Sequence, residues 1–212
     1  MPVNRPAATT TLVLLMLAFG TARAAAQVAY VQGGMALDAR RFSGEDSDRV
    51  FDANAMTVWI GGGGFLRPSL SASVEFELSA DSEVAQSVTA TIAGRPETVT
   101  TTYGGRRRAV SALFGVHTSA RRVVRLGAYA GLAFTSFRRR IAADAPPIVL
   151  SGPPPPTVFT DRAANPILGL DIAASIGRDV AIVGSVRAQA LEFSSDLNGF
   201  SVRPGAAVRI SF

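Results

Sequence analysis

From residue 69 to residue 79 the chain alternates without interruption. Leu70, Ala72, Val74, Phe76 and Leu78 fall on one side, and Ser69, Ser71, Ser73, Glu75, Glu77 and Ser79 on the other. Successive side chains of a β-strand point to opposite faces, so this segment predicts a strand with one apolar wall and one polar wall. The C-terminus repeats the pattern, setting Phe200, Val202, Pro204, Ala206, Val208, Ile210 and Phe212 against Ser201, Arg203, Gly205, Ala207, Arg209 and Ser211. A third case sets Val124, Leu126, Ala128, Ala130, Leu132 and Phe134 against Arg125, Gly127, Tyr129, Gly131, Ala133 and Thr135. Weaker alternation over 28–42, 54–64, 107–117, 165–176 and 180–193 brings the predicted strands to eight. Each is long enough to cross a bilayer when tilted, for which about 9–11 residues suffice.

The connections follow a rule of their own. Residues 66–68, 118–122 and 177–179 predict tight turns, whereas 43–53, 80–105, 138–163 and 194–199 predict mostly longer loops. The longer set holds the acidic stretch 44–48, the Thr-rich stretch 98–102 and the proline run 153–156. Short and longer connections therefore alternate, with both chain ends on the side of the short ones. The expected fold is all-β: an eight-stranded antiparallel transmembrane up-and-down β-barrel.

A soluble β-sandwich or a secreted lipocalin-like barrel also alternates. Three features weigh against both. The polar faces are rich in Ser, Gly and Ala, and charged residues make up 17% of the chain, below the about 25–35% usual on soluble surfaces. The charges concentrate in loops and strand ends. The C-terminal strand runs to an apolar Phe212 without a polar tail.

Residues 1–26 form a separate segment. Arg5 in a short polar start, an apolar run over 12–19 and small residues over 21–26 give the pattern of a secretory signal peptide, with a mature barrel domain over 27–212. The apolar run is too short for a spanning helix. No Cys follows it, so a lipid anchor is not expected.

Composition then removes most catalytic chemistry. All 21 basic residues are Arg, there is no Cys and there is one His. Lysine nucleophiles and bases, the phosphate-loop lysine, thiol chemistry, cysteine zinc sites and paired-histidine metal sites are all excluded. Without Arg5 and Arg23 the chain carries 19 arginines against 16 acids, a net charge of +3. Those arginines are dispersed and not interleaved with stacking aromatics, so no nucleic-acid partner is expected. No cofactor and no metal are expected.

The stretch 202–212, apolar at alternate positions and ending in Phe, resembles the C-terminal assembly signal of bacterial outer-membrane barrels, carried by Val208, Ile210 and Phe212. With eight strands the chain resembles the small-barrel superfamily that includes the membrane domain of outer membrane protein A, OmpX and OmpW. The resemblance is architectural and spans the mature chain. It implies export to the cell outer membrane, insertion by the barrel-assembly machinery, a monomer, and no second domain after the barrel. It implies no enzyme, but a structural or surface-interaction role through the external loops. A narrow passive path for small or apolar solutes, as in OmpW-like barrels, is the alternative.

Within that frame Glu75, Glu77, Arg125, Asp171, Arg187, Gln189, Arg203 and Arg209 are expected to face inward. An eight-stranded barrel is just wide enough to be filled by side chains, so interior charges must pair. A static salt-bridge core is one expectation. A plug in which Glu75 or Glu77 exchanges arginine partners is the other, motivated by the excess of inward Arg over inward acid. Arg106, Arg107 and Arg108 begin one strand and Arg138, Arg139 and Arg140 end the next, which brings both triplets to one external rim. Such a rim suits lipopolysaccharide phosphates and outer-membrane lipid, because Arg pairs bidentately with phosphate. Ordinary interface anchoring is the competing use.

Three further features are read structurally. His117 is the one possible imidazole base, and a lipid A deacylase would use a His–Ser pair near the outer leaflet; His117 lies instead at the end of its strand beside a short turn, with no partner acid by spacing, and is expected to be a polar residue at the periplasmic mouth. The run Gly61, Gly62, Gly63, Gly64 follows a strand and lacks a Lys, so it relieves crowding or permits a kink. Glu45, Asp46, Asp48 and Asp52 lack the Gly and terminal Glu of a calcium loop and predict a solvated loop.

Overall fold

The computed structural model describes residues 29–43, 51–92, 95–118, 123–144, 156–193 and 197–212, except the side chains of 90, 92, 95 and 144. The segment 1–26 and the residues Glu45, Asp46 and Asp48 lie outside the described residues. Nine strands follow one another: β1 (Ala29–Ser43), β2 (Ala53–Arg67), β3 (Leu70–Ser79), β4 (Ser82–Ile92), β5 (Arg95–His117), β6 (Val124–Asp144), β7 (Thr157–Ser175), β8 (Val180–Glu192) and β9 (Asn198–Ser211). Among the described residues there is no helix.

Every neighbouring pair is antiparallel, and the sheet closes on itself. β1 pairs with both β2 and β9, and β3 pairs with β5 over Leu70↔Val116 to Leu78↔Arg108. β4 continues the line of β3, because Ser82 pairs with Gly105 three residues further along the same β5. β3 and β4 are thus one stave of the barrel, interrupted at Ala80 and Asp81, and the ring has eight staves. The start of β1 meets the residue that follows β9: Ala29 N donates to Phe212 O at 3.1 Å, and Phe212 N to Ala29 O at 2.9 Å. Closure removes the unpaired strand edges that an open sheet would expose.

The alternation decides which side is which. Met35, Val58, Ile60, Phe114, Phe134, Leu168, Leu170, Ile172 and Val208 point outward and are exposed, while Asp38, Arg40, Glu75, Arg107 and Arg203 point inward and are buried. A water-soluble barrel would show the opposite. Apolar outside and polar inside is the arrangement a hydrocarbon solvent selects.

The staves are longer than the sequence pattern predicts. Alternation is plain only where an outward apolar face is needed, whereas β5 begins at residue 95, β6 runs to 144 and β7 begins at 157. The expected loop 80–105 is corrected: it is the hairpin β4–β5, in register from Ser82↔Gly105 to Ile92↔Arg95. Its Thr- and Ser-rich sequence favours strand without an apolar face, so it carries no period-two hydrophobic signal. β4 to β7 form a taller wall than the other strands, at the end bearing the long connections.

Candidate functional site

The interior is filled by two layers of paired side chains. Nearer the tight-turn end, five residues from five strands close a ring. Arg187 donates through Nη2 to Glu75 Oε1 at 2.9 Å and through Nη1 to Asp171 Oδ1 at 2.6 Å. Arg209 donates through Nη2 to Asp171 Oδ2 at 3.0 Å and through Nε to Gln32 Oε1 at 2.8 Å. Gln32 Nε2 then donates to Glu75 Oε1 at 3.2 Å, completing the circle. The strands that supply these groups, β1, β3, β7, β8 and β9, stand around the lumen, so the ring braces opposite walls.

The second layer is organised by Arg107. Its guanidinium donates to Asp38 Oδ2 at 2.9 Å, Glu77 Oε2 at 2.8 Å and Gln189 Oε1 at 3.1 Å. Arg203 pairs with Glu77 and also donates to Gln189 Oε1. Ser201 donates to Asp38 Oδ1, and Arg40 lies 3.7 Å from Asp38 while donating to Ser82 Oγ at 2.9 Å. Together the layers hold Arg40, Arg107, Arg187, Arg203 and Arg209 against Asp38, Glu75, Glu77 and Asp171, all buried. Near-neutral pairing of this kind is what allows charge to sit in a side-chain-filled lumen, since an uncompensated buried ion costs several kcal/mol.

Aromatic clusters close both ends. At the long-connection end Phe42, Phe51, Phe137, Leu191 and Leu197 pack together, with Phe42 and Phe137 centroids 5.4 Å apart. At the tight-turn end Tyr30 packs tilted against Phe65 at 5.5 Å, and His117 sits between Phe65 at 5.1 Å and Tyr129 at 5.3 Å. Between the layers a cavity of about 10 Å³ remains beside Trp59, Glu75, Glu77 and Arg203, room for about one water. Small inward residues make these layers fit. A Cβ on Gly63 would come within 2.4 Å of Ala72 O and 2.9 Å of Tyr30 Oη, and one on Gly169 within 2.7 Å of Arg187 Cδ.

The candidate residues distribute as follows. Glu75, Glu77, Asp171, Arg187, Gln189, Arg203 and Arg209 lie in the two layers. Arg125 is on the inward face as expected but is corrected as a member of the charge network: it is half-buried at the tight-turn mouth, where it covers the Phe65 ring at 3.9 Å and donates to Pro68 O. Arg107 and Arg139 are corrected as members of the outer rim. The strand period turns the middle residue of each triplet inward, so Arg107 is 1% exposed in the lumen and Arg139 pairs with Asp161 at 2.7 Å. Arg106, Arg108, Arg138 and Arg140 do face outward, in register as Arg106↔Arg138, with Arg108 opposite Ser136 and Arg140 opposite Gly104. His117 Nε2 lies 2.6 Å from Ser71 Oγ, a pair enclosed by the aromatic cluster. Asp52 accepts a bond from Phe42 N at 2.6 Å, so it braces a strand end. Val208, Ile210 and Phe212 are exposed on the outer wall.

The residues missed from sequence are Gln32, Asp38, Arg40 and the inward role of Arg107. In β1 the inward set Tyr30, Gln32, Gly34, Ala36, Asp38, Arg40 and Phe42 mixes apolar with charged, while the outward set includes Gly33, Ala39 and Arg41. The hydrophobic contrast that reveals a strand's two faces is therefore weak there.

No protein-family model and no curated protein sequence matches the chain. Solved structures do. Neisserial surface protein A is 16% identical with a TM-score of 0.52, covering 87% of this chain and 97% of that one. Ail of Yersinia pestis, in complex with the heparin analogue sucrose octasulfate, is 10% identical with a TM-score of 0.51, covering 87% and 99%. A major outer membrane protein of Thermus thermophilus is 13% identical with a TM-score of 0.50, covering 88% and 100%. The fold is that of the small bacterial outer-membrane β-barrels.

Proposed function

We propose that this chain is a non-enzymatic resident of the bacterial outer membrane, exported by its N-terminal segment, inserted by the barrel-assembly machinery, and acting as a monomer through the loops and tall β4–β7 wall at its long-connection end. The observation that carries this reading is the inversion of polarity: exposed apolar outer wall, paired charges within. Val208, Ile210 and Phe212 on the outer wall of the last strand suit recognition during assembly.

A passive solute path finds no support in the lumen. Two layers of ion pairs and two aromatic caps lie across it, and the cavity beside Trp59 and Arg203 is about 10 Å³, enough for about one water. The Ser71 and His117 pair is enclosed and lacks an orienting carboxylate among the described contacts, so it supports a structural role.

The test is heat modifiability and flotation. The chain 27–212, unfolded in urea and diluted into detergent or phosphatidylcholine vesicles, is expected to run faster unboiled than boiled and to float with the vesicles. A single unshifted band from protein that is soluble in plain buffer would contradict the reading.

A further inference from the structure

Five arginines face outward on three adjacent strands: Arg106 and Arg108 on β5, Arg138 and Arg140 on β6, and Arg162 on β7. The registers bring them together. Arg106 stands opposite Arg138, and Ser136 lies between Arg108 on one side and Arg162 on the other. Directly paired residues on one face have Cβ atoms about 5 Å apart, so like charges there repel. Few acids answer them. Asp81 lies 3.8 Å from Arg106, and Glu83 shares the row of Gly104 and Arg140. Among the described residues no carboxylate lies within 4.0 Å of Arg108, Arg138 or Arg162. Arg41, the outward arginine of β1, is different: it is held by Arg40 O at 2.6 Å and by Asn54 Oδ1 at 3.4 Å.

Directly below the arginines the wall is hollowed. A trough of about 660 Å³ runs between Phe76 and Leu78 on one bank and Phe134 on the other, with Val110 and Ala164 along it and Arg108, Ser136 and Arg162 at its upper end. A second, of about 280 Å³, runs along the other side of Phe76 and Leu78 against Val58 and Ile60. In the first trough Ser136 and Ala164 are small where Phe134 and Arg162 beside them are large.

We infer that this face is a specific site for a multiply phosphorylated, multiply acylated lipid of the outer leaflet, of the lipid A class, and the inference rests on the outer-membrane reading above. The phosphates lie among Arg106, Arg108, Arg138 and Arg162, where guanidinium forks bind them bidentately and cancel the mutual repulsion. The acyl chains lie in the two troughs. The cations extend over rows separated by two residues, about 7 Å along the strand, a spread that suits more than one phosphate. Lipid-facing arginine costs little near the interface and far more at the bilayer midplane, which places this cluster at the headgroup edge of the apolar belt.

The experiment is native mass spectrometry of the refolded chain 27–212 in neutral detergent, titrated with diphosphoryl lipid A, phosphatidylglycerol, uncharged diacylglycerol or inorganic phosphate. Diphosphoryl lipid A is expected to bind about tenfold or more tightly than phosphatidylglycerol, and the pair Arg108→Gln with Arg162→Gln to weaken it about tenfold with the heat-shifted band retained. Arg41→Gln is expected to leave binding unchanged. Equal binding of lipid A and phosphatidylglycerol, displacement by inorganic phosphate alone, or undiminished binding by the double variant overturns the site while leaving the barrel reading intact. The ligand comparison on the unaltered chain does not depend on any variant folding. Absence of the heat-shifted band in the unaltered chain overturns the barrel reading, and the site with it.

Discussion

Glu75 and Arg187 are 112 residues apart in sequence and meet at 2.9 Å across the full width of the lumen. Their strands, β3 and β8, are four staves apart in either direction around the ring. The pair is therefore a crossbar. It forms only when the sheet closes, and it fixes the distance between walls that share no hydrogen bonds.

The ring is expected to behave as one unit. In a double-mutant cycle, Glu75→Gln and Arg187→Met should each destabilise the barrel, and together cost less than the sum by about 0.5–3 kcal/mol. Urea titration of the heat-shifted band in detergent measures it. Strict additivity would mean that the two side chains do not share the network.

Arg107 and Arg106 are sequence neighbours with opposite fates. Arg107 serves three buried acceptors in the lumen, whereas Arg106 is 37% exposed beside Asp81. Arg107→Ala should cost about 3–5 kcal/mol, because it removes the buried guanidinium that Asp38 and Glu77 share and leaves them only Arg40 and Arg203. Arg106→Ala should change stability by less than about 1 kcal/mol. The same urea titration compares them, and equal losses would contradict the assigned faces.

Trp59 is the single tryptophan of the chain and packs inward with Ala36, Ala173, Val183 and Ala207. Its emission should be blue-shifted and resist both iodide in the water and bromine on the acyl chains. A tryptophan introduced by Phe114→Trp, on the exposed outer wall, should be quenched by brominated lipid in a Trp59→Phe background. Strong bromine quenching of Trp59 itself would reverse the inside and outside of β2.

Close approach sets the tolerance of glycines. At Gly63 a Cβ would meet Ala72 O at 2.4 Å, whereas at Gly33 the nearest atom is Trp59 O at 3.6 Å. Gly63→Val should prevent assembly or cost more than about 1–3 kcal/mol of overpacking, and Gly33→Ala should leave the heat-shifted band and its urea midpoint unchanged.

The fold was readable from residues because the membrane imposes an apolar residue at every second position of the outer wall. Leu70 to Leu78 and Phe200 to Phe212 obey that demand almost without exception, and so do Val124 to Phe134. Beyond the bilayer the demand lapses, which is why β4 and the first half of β5 read as loop. The interior charges of β3, β7, β8 and β9 were readable for the same reason: a charge between apolar neighbours can only point inward. Asp38, between Leu37 and Ala39, obeys the same rule, whereas Arg40 was hidden beside Arg41, where charge alone does not tell the two faces apart. Arg107 and Arg139 were hidden inside triplets, where charge alone does not distinguish faces and only the strand period does. Which carboxylate meets which arginine depends on the order of staves around the ring, and no local pattern carries that.

The measurement that tests the account most directly is conductance of the refolded, heat-modifiable chain in planar bilayers. The two ion-pair layers and two aromatic caps predict an electrically silent membrane for the unaltered protein. They predict continued silence for Glu75→Ala and Glu77→Ala, whose remaining partners and caps still fill the lumen. Long-lived, reproducible current steps from the unaltered, folded protein would contradict a sealed barrel and restore the solute path as its function.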